Sequence, residues 1–184
     1  MIRSFEIYTK KELAEVGVIF GEGVNISKDV ILHNPQNLII GNNVRIDSQC
    51  ILICGTAHCI RLGSNIHIAA GCYYYGNSGN IILEDYTCTS ARCLLYTAND
   101  DYTEGYATNS SVDVKYKKVT TGDIILKRHV LVGCQSIILP GVILEYASSV
   151  GANSFVNKST EPFSVNAGTP AKFIKRRKNI YLNL

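Results

Sequence analysis

The sequence lacks the features of a membrane or secreted protein. No apolar run approaches the ~18 residues that a transmembrane helix needs, and the stretch from Met1 to Glu6 contains no apolar signal-peptide core. We therefore expect a cytoplasmic protein. Charged residues are also few, at 18% against 46% hydrophobic ones, which is typical of a folded globular chain rather than a disordered one.

Paired cysteine motifs are absent as well, although the chain contains seven cysteines. No C-x-x-C pair occurs and the number is odd, so disulfides are not expected in a protein without a secretory signal. Several cysteines occupy positions that need a small apolar side chain, and we interpret them as core residues. No spacing among the cysteines and His58 matches a zinc ligand set, so no metal site is predicted.

The feature that the sequence does contain is a six-residue period. An aliphatic residue, often followed by Gly or an acid, then two polar residues and a small or β-branched one, recurs without a helix-length interruption. The period is clear at 20–31, 40–51, 62–73, 132–137 and 144–155. It indicates a parallel β-helix, an all-β solenoid whose coils bury their aliphatic positions and stack on one another.

The period also predicts how the chain is divided. We expect a single domain over 1–184, with an N-terminal helical cap at 1–17 and a β-helix at 18–160. A polar break at 98–121 interrupts the repeats, and a long polar loop in a compact solenoid is usually functional or disordered. Residues 161–184 form a basic C-terminal tail.

Two short helices are predicted at the ends. Thr9 and Glu12 have the spacing of a capping box in front of a helix-forming stretch that Gly17 would end. Near the C-terminus, Pro170 precedes apolar residues at amphipathic spacing, which predicts a short helix that begins there.

The net charge of +3 is unevenly distributed. The segment 171–184 contains five bases and no acid, whereas the rest of the chain contains 13 bases and 15 acids. A basic tail on a slightly acidic body indicates an anionic ligand, and a solvated terminus is the alternative. Nucleic-acid binding is less favoured because the bases are few and no recognition motif accompanies them.

Two stretches resemble the hexapeptide-repeat acyltransferases. The first is 122–133 with Ile-Ile-Leu-Pro-Gly-Val at 137–142, and the second is Val-Gly-Ala-Asn-Ser-Phe-Val at 150–156 with Ala-Gly-Thr-Pro-Ala-Lys at 167–172. The sequence departs from the family pattern at Leu131, where tryptophan is common. The resemblance implies a left-handed parallel β-helix, a homotrimer, and an acyl-coenzyme A donor in the cleft between subunits.

The opening stretch from Tyr8 to Leu13 is similar to one branch of that family. The branch contains bacterial N-acyltransferases that act on nucleotide-linked amino-deoxy sugars, usually dTDP-linked ones. The resemblance thus implies acetyl-coenzyme A or another short acyl-coenzyme A as co-substrate, with no metal required.

A missing histidine favours an amine as acceptor. Many O-acetyltransferases of this family use a histidine just before the long loop as general base, but the stretch from Leu94 to Asp101 contains none. A sugar hydroxyl needs a strong base, whereas an amine with a pKa near that of an α-amino group, roughly 8, is already partly neutral. Of the four histidines, His129 is interpreted as exposed and structural, and His67 as a candidate for lining the cleft.

Asp100 is the first candidate for binding or deprotonating the acceptor amine, because the resemblance places the acceptor site at the start of the long loop. Asp101 is the second candidate, and Ser90 would assist from the preceding repeat. The alternative for both acids is an Asx-type cap of the loop. Asn99, Tyr102 and His67 complete the predicted acceptor site, whereas the Tyr73–Tyr75 triplet is interpreted mainly as solenoid packing.

Backbone and basic groups are predicted to bind the donor. A backbone N–H near Gly133 is the candidate oxyanion donor, since glycine permits close approach. Gly151 and Ala152 would line the channel for the pantetheine arm, although glycine also serves simple turn geometry. Basic side chains of the tail would meet the phosphates of coenzyme A, namely Lys172, Lys175, Arg176 and Arg177.

Three functions therefore compete at this point. The favoured one is acyl transfer to the amino group of a nucleotide-linked amino-deoxysugar in the synthesis of a surface polysaccharide such as O-antigen or capsule. The second is O-acetylation of a sugar. The third is a non-catalytic or γ-carbonic-anhydrase-like β-helix, which would need three histidines on adjacent coils, and His58 and His67 have no evident third partner.

Overall fold

The computed structural model describes residues 6–109 and 111–178. The outermost parts of the predicted cap and tail, 1–5 and 179–184, lie outside the described residues. No helix of the described ranges is long and apolar enough to cross a membrane.

The chain winds into a β-solenoid with three flat faces, each formed by a sheet in which successive coils pair in parallel. Strands are numbered along the chain. Face 1 consists of β1 (Ile19–Phe20), β4 (Leu38–Ile40), β7 (Ile60–Leu62), β10 (Ile81–Leu83), β15 (Ile124–Leu126) and β18 (Ile143–Leu144).

Faces 2 and 3 complete each coil. Face 2 consists of β2 (Asn25–Ile26), β5 (Val44–Ile46), β8 (Ile66–Ile68), β11 (Cys88–Thr89), β16 (Leu131–Val132), β19 (Ser149–Val150), β21 (Ser164–Ala167) and β22 (Lys172–Arg176). Face 3 consists of β3 (Ile31–His33), β6 (Ile51–Cys54), β9 (Tyr73–Gly76), β12 (Leu94–Tyr96), β17 (Ile137–Ile138) and β20 (Phe155–Val156). The predicted all-β solenoid is confirmed.

The core is a column of aliphatic side chains that follows from the six-residue period. Along face 2, for example, Ile26, Ile46 and Ile68 pair in register and are fully buried. Successive side chains of a strand point to opposite faces, so only alternate residues enter the column. Tyr74 is also fully buried, and its hydroxyl lies 2.7 Å from that of Thr89, which gives its polar atom a partner inside the core.

The corners between faces need a left-handed backbone conformation. Asn43, Asn65 and His129 have φ of 55°, 59° and 63° at equivalent positions of the turn from face 1 to face 2. Asparagine tolerates this conformation better than most residues. His129 shows that larger side chains also occupy this turn, where its ring stacks on that of Tyr86 at a centroid distance of 5.0 Å.

All seven cysteines are free thiols. Cys50, Cys72 and Cys93 form a buried column at one corner, and each Sγ donates to a backbone carbonyl oxygen at 3.1–3.2 Å. The interpretation as core residues is correct for these three and for Cys54, whose burial raises the pKa of its thiol to about 11. Cys134, in contrast, is exposed. No group of three or more metal-ligating side chains occurs within the described ranges.

The N-terminal helix has the predicted cap, whereas the predicted C-terminal helix is wrong. Helix α1 (Lys10–Glu15) begins after Thr9, which exchanges both capping-box hydrogen bonds with Glu12. Beyond Pro170 the chain forms strand β22, which pairs antiparallel with β21. The last coil would otherwise expose the unpaired edge of β21, and covering that edge outweighs the helical pattern of a short exposed segment.

The long loop leaves the solenoid at the corner between faces 3 and 1. Its base is a two-stranded antiparallel ribbon of β13 (Ala98–Asp100) and β14 (Val119–Thr121). A 3₁₀ turn, Val114–Tyr116, lies within the excursion. The predicted extrusion at 98–121 is confirmed, although its ends are paired strands rather than irregular chain.

We expect the aliphatic column to dominate stability. Leu95 is fully buried, whereas Leu131 points outward and is 39% exposed. Leu95→Ala should lower the free energy of unfolding by about 2–5 kcal/mol because it opens a cavity, and Leu131→Ala should cost less than half as much. Urea unfolding of both variants tests this, and equal losses would contradict the assignment of inward and outward positions.

Candidate active site

A line of mostly small residues runs along the corner between faces 2 and 3. It is formed by the residues that directly follow β2, β5, β8, β11, β16 and β19, together with Ala167 at the end of β21. The amides of the first six donate to carbonyl oxygens of the next coil, as in Ser90 N–H to Val132 O at 2.8 Å. The strand register stacks these residues in one line, which comprises Ser27, Asp47, Ala69, Ser90, Gly133, Gly151 and Ala167. We call this line the corner groove.

The glycines of the corner groove are required by the stacking itself. A Cβ added to Gly133 would lie 2.5 Å from the amide nitrogen of Ala152, and one added to Gly151 would lie 2.8 Å from Cβ of Ala167. The amide of Gly133 donates to Val150 O at 2.8 Å, so it cannot also bind an oxyanion. The next amide, that of Cys134, makes no hydrogen bond to the described part of the chain.

Ser90 and the loop acids occupy opposite edges of face 3. Ser90 lies in the corner groove before strand β12, and Asp100 lies in the ribbon after it. The extended segment from Cys93 to Thr97 alone spans roughly 13 Å. One copy of the chain therefore does not bring Ser90 and Asp100 together, although the sequence treats them as partners.

The two loop acids have different surroundings. The Asp101 carboxylate accepts hydrogen bonds from the amides of Thr103 at 3.0 Å and Glu104 at 2.8 Å. The Thr103 amide, despite opposing desolvation, holds the pKa of Asp101 below its ordinary value. Asp101 thus has the contacts of an Asx-type cap. The half-buried carboxylate of Asp100 has no hydrogen bond or ion pair with any described residue.

The remaining predicted acceptor residues lie apart from each other. Asn99 accepts a hydrogen bond from the hydroxyl of Tyr102 at 2.7 Å, and Tyr102 is 76% exposed on the loop. His67 lies on face 2, where its Nε2 is 2.8 Å from Oδ2 of Asp47 and its Nδ1 is 4.0 Å from Sγ of Cys88. The loop residues, at the corner between faces 3 and 1, and His67, on face 2, are thus apart in one copy.

Asp47 and Arg45 are polar residues of this region that the sequence analysis missed. Arg45 Nε lies 2.6 Å from Oδ1 of Asp47, so that carboxylate bridges Arg45 and His67. Although burial opposes the shift, the hydrogen bonds from His67 and Arg45 lower the pKa of Asp47. Asp47 and His67 are 20 residues apart, and only the coil length of the solenoid could have indicated that they meet.

Strand β22 runs across face 2, so the predicted phosphate ligands lie at different positions along its width. Lys172 pairs with Ala167 and therefore lies at the end of the corner groove, whereas Arg176 pairs with Ser164 near the opposite edge of face 2. Lys158, Lys172 and Arg176 line a cavity of about 480 Å³ at the C-terminal end of the solenoid. Lys175 is exposed between them.

Arg177 is held away from the corner groove. Its Nη1 donates to the carbonyl oxygens of His129 and Ala147, both at 3.1 Å, at the corner between faces 1 and 2. His129 is half-buried here rather than exposed as the sequence predicts, and burial, with Arg128 and Arg177 nearby, lowers the pKa of its imidazole. Both residues have structural contacts at this corner.

The stacked coils, the extruded loop and the corner groove with a basic end define the chain as a β-solenoid of the hexapeptide-repeat acyltransferase class. No model of a known protein family matches the chain. It is, however, 37% identical over 174 residues to a dTDP-4-amino-4,6-dideoxy-D-glucose acyltransferase of Escherichia coli, across 94% of this chain and 90% of the relative. The chain belongs to the family of the dTDP-amino-deoxysugar N-acyltransferases.

Solved structures of AntD, an N-acyltransferase from Bacillus cereus, have the same fold. A serine-to-cysteine variant in complex with dTDP-4-amino-4,6-dideoxyglucose and coenzyme A superposes with a TM-score of 0.88 at 36% identity, covering 96% of this chain and 93% of AntD. AntD in complex with dTDP and 3-hydroxybutyryl-CoA gives 0.87 at 37% identity, covering 95% and 92%. Another AntD structure replaces an aspartate by alanine.

The contacts of Arg177 predict a structural role. Arg177→Met should lower the free energy of unfolding by about 1–3 kcal/mol because two carbonyl groups lose their charged donor. Lys175→Met is the matched control, since Lys175 is exposed and should leave stability unchanged. Thermal unfolding compares the two, and an unaltered melting temperature in Arg177→Met would contradict the assignment.

Proposed function

We propose that this chain transfers a short acyl group from acyl-coenzyme A to the amino group of a dTDP-linked amino-deoxysugar. The observation that carries the proposal is similarity over nearly the whole chain to enzymes whose structures contain that sugar nucleotide and coenzyme A. The absence of a histidine between Leu94 and Asp101 agrees with an amine acceptor.

Asp100 is proposed to bind the acceptor amine and to accept its proton. Its carboxylate has no partner among the described residues, which leaves it available for a ligand, whereas that of Asp101 is engaged within the loop. The serine and the aspartate that were replaced in AntD are ten positions apart, as Ser90 and Asp100 are here. This equal spacing supports the pairing of Ser90 with Asp100 in one reaction.

The proposed reaction is a direct displacement. The amine nitrogen attacks the thioester carbonyl carbon, so a C–N bond forms while the C–S bond breaks. The amine proton passes to Asp100 and then to the departing thiolate, which leaves as free coenzyme A. Because the amide of Gly133 is engaged by Val150, the amide of Cys134 is the better candidate donor to the carbonyl oxygen.

The donor is proposed to lie along the corner groove. Gly133 and Gly151 in this line, with Ala152 directly after it, leave room for an extended pantetheine arm. The distance from Ser90 to the last coil is three coil steps, roughly 14 Å, which suits that arm. The phosphates would then reach the cavity beside Lys158, Lys172 and Arg176. Arg177 does not contribute to this cavity, because its guanidinium is hydrogen-bonded at another corner.

We propose a homotrimer in which neighbouring copies share each site. Face 3 presents an apolar outer surface that includes Ile31, which is 57% exposed, and the stacked rings of Tyr75 and Tyr96 at 4.6 Å. A ring of copies packed through this surface can bring the Ser90 edge of one copy to the Asp100 edge of the next. Closed cyclic symmetry is the usual outcome of such head-to-tail contacts.

A role in surface-polysaccharide synthesis and a cytoplasmic location complete the proposal. The seven cysteines are all unpaired, the state that a reducing compartment maintains. An acylated amino-deoxysugar that remains linked to a nucleotide is an activated building block, which suits its later transfer to a growing polysaccharide such as O-antigen or capsule.

A thiol-release assay tests the acceptor. The purified protein should release coenzyme A with dTDP-linked amino-deoxyhexoses, but not with their hydroxyl counterparts, when given acetyl-CoA or 3-hydroxybutyryl-CoA. Asp100→Asn should lower kcat about 100-fold or more, since it removes a general base, while Asp101→Asn should act through loop order alone. Turnover with hydroxyl acceptors would contradict the argument from the missing histidine.

A mixed-trimer experiment tests the shared site. Ser90→Ala and Asp100→Asn chains carrying different tags are refolded together, and the mixed species are purified through both tags. Each variant alone should be impaired, but every mixed trimer that carries both tags should contain one complete site out of three, about a third of the wild-type sites. Activity no higher than that of the parents would show that each chain contains a complete site. Mixing two differently tagged Ser90→Ala chains is the control.

A further inference from the structure

A row of buried hydrogen-bond donors lies directly beneath the corner groove. It consists of residues that immediately precede the face 3 strands and includes Cys50, Cys72, Cys93 and Ser136. The three thiols donate at 3.1–3.2 Å to carbonyl oxygens of the corner groove, namely those of Ala69, Ser90 and Gly133 in that order. The hydroxyl of Ser136 continues the row and donates to Gly151 O at 3.0 Å. A buried side chain thus binds each of four successive carbonyl groups of the corner groove.

One of these peptide units contains the amide proposed to stabilise the oxyanion. The peptide between Gly133 and Cys134 is planar and trans, so its carbonyl and its N–H point in opposite directions. The carbonyl points into the core, where it meets the fully buried thiol of Cys93. The N–H of Cys134 therefore points away from the core, and it makes no hydrogen bond within the described part of the chain.

The thiol of Cys93 fixes the orientation of this peptide unit. Among the described residues, Cys93 is the only hydrogen-bond partner of Gly133 O. Glycine permits more backbone conformations than other residues, so a peptide that follows glycine can rotate more readily than one between two alanines. Without the thiol, the carbonyl would face the core with no donor, and the inward orientation would lose its advantage.

A thiol at this position is a competent donor. Burial penalises the thiolate form, and Cys93 is fully buried, so its proton is retained. Sulfur is a weak donor, and oxygen can take its place in this row. Ser136 occupies the equivalent position of the next coil and makes the equivalent hydrogen bond through its hydroxyl.

The anchored peptide lies close to the proposed reaction centre. Thr89 pairs with Val132, so Gly133 lies directly beside Ser90 in the next coil, roughly 5 Å along the axis. The thiol of Cys50 anchors a peptide two coils farther away, at Ala69. The same local structure therefore occurs once near the reacting atoms and once at a distance from them.

We propose that Cys93 is a positioning residue for acyl transfer. Its buried thiol holds the Gly133 carbonyl inward and thereby directs the Cys134 N–H toward the thioester carbonyl oxygen, which becomes negative as the amine attacks. Cys93 itself touches neither substrate. This inference rests on the proposed function and adds how the oxyanion donor is held in place.

Steady-state kinetics of Cys93→Ala test this role, with dTDP-4-amino-4,6-dideoxyglucose as acceptor and acetyl-CoA or 3-hydroxybutyryl-CoA as donor. Removing an oxyanion donor lowers kcat about 10²–10³-fold, and a donor that is only less well oriented should cost less, roughly five- to twentyfold. The KM values of both substrates should stay within about twofold, because Cys93 contacts neither of them. Cys93→Ser should restore most of kcat, since it returns a donor to the same position.

Cys50→Ala is the matched control, because it removes an equivalent buried donor two coils away. Both alanine variants should lower the melting temperature to a similar degree, but only Cys93→Ala should lower kcat. Cys93→Val retains apolar volume without a donor and should lose kcat as Cys93→Ala does, which keeps the test decisive if the alanine variant folds poorly.

An unaltered kcat in the alanine and valine variants of Cys93, an equal loss in Cys50→Ala, or no recovery in Cys93→Ser would overturn the inference while leaving the proposed function intact. A folded wild-type protein that transfers no acyl group to the amino sugar would overturn both.

Discussion

In-register stacking of one coil on the next is the constraint on which the rest of this structure depends. No coil can bury its aliphatic side chains alone, and each acquires a core only when the coil above covers it. The backbone amides at the corners reinforce the stacking, as Ser90 does with Val132 and Gly133 with Val150. Residues that are far apart along the chain consequently form straight rows along the axis.

The same stacking explains why the residues of the candidate site lie at corners of the solenoid and not on its flat faces. On the flat faces, the backbone groups are hydrogen-bonded to neighbouring coils, and the side chains that point inward belong to the core. At the corner between faces 2 and 3 the close approach of coils admits only small residues, because any Cβ on Gly133 or Gly151 would meet the next coil. A requirement of packing thereby keeps large side chains out of this corner, with Asp47 and His67 near one end of the line and Lys172 at the other.

The extruded loop supplies a carboxylate, that of Asp100, outside the repeating coils. Its ribbon base, β13 and β14, interrupts the six-residue period and places Asp100 at the edge of face 3 opposite the corner that bears Ser90. Such a fold presents the parts of a site on separate edges. Assembly of several copies, which we propose, would bring those edges together, and the apolar outer surface of face 3 would then serve catalysis through quaternary structure.

Much of this architecture follows from the sequence, because it depends on residues that are close together along the chain. The six-residue period, the capping box of Thr9 and Glu12, the place of the extruded loop and the absence of a histidine before it are all local patterns. Only the tertiary structure decided that residues 172–176 form a strand, since the sequence does not reveal that β21 would have an unpaired edge. It alone shows that the carboxylate of Asp101 is hydrogen-bonded within the loop whereas that of Asp100 is not. It also shows that Arg177 contacts the corner between faces 1 and 2, and that Arg45, Asp47 and His67 form one cluster. The physical reason is register: a shift of one residue in the pairing reverses which side chains face outward, so contacts between coils exist only once every coil has its place.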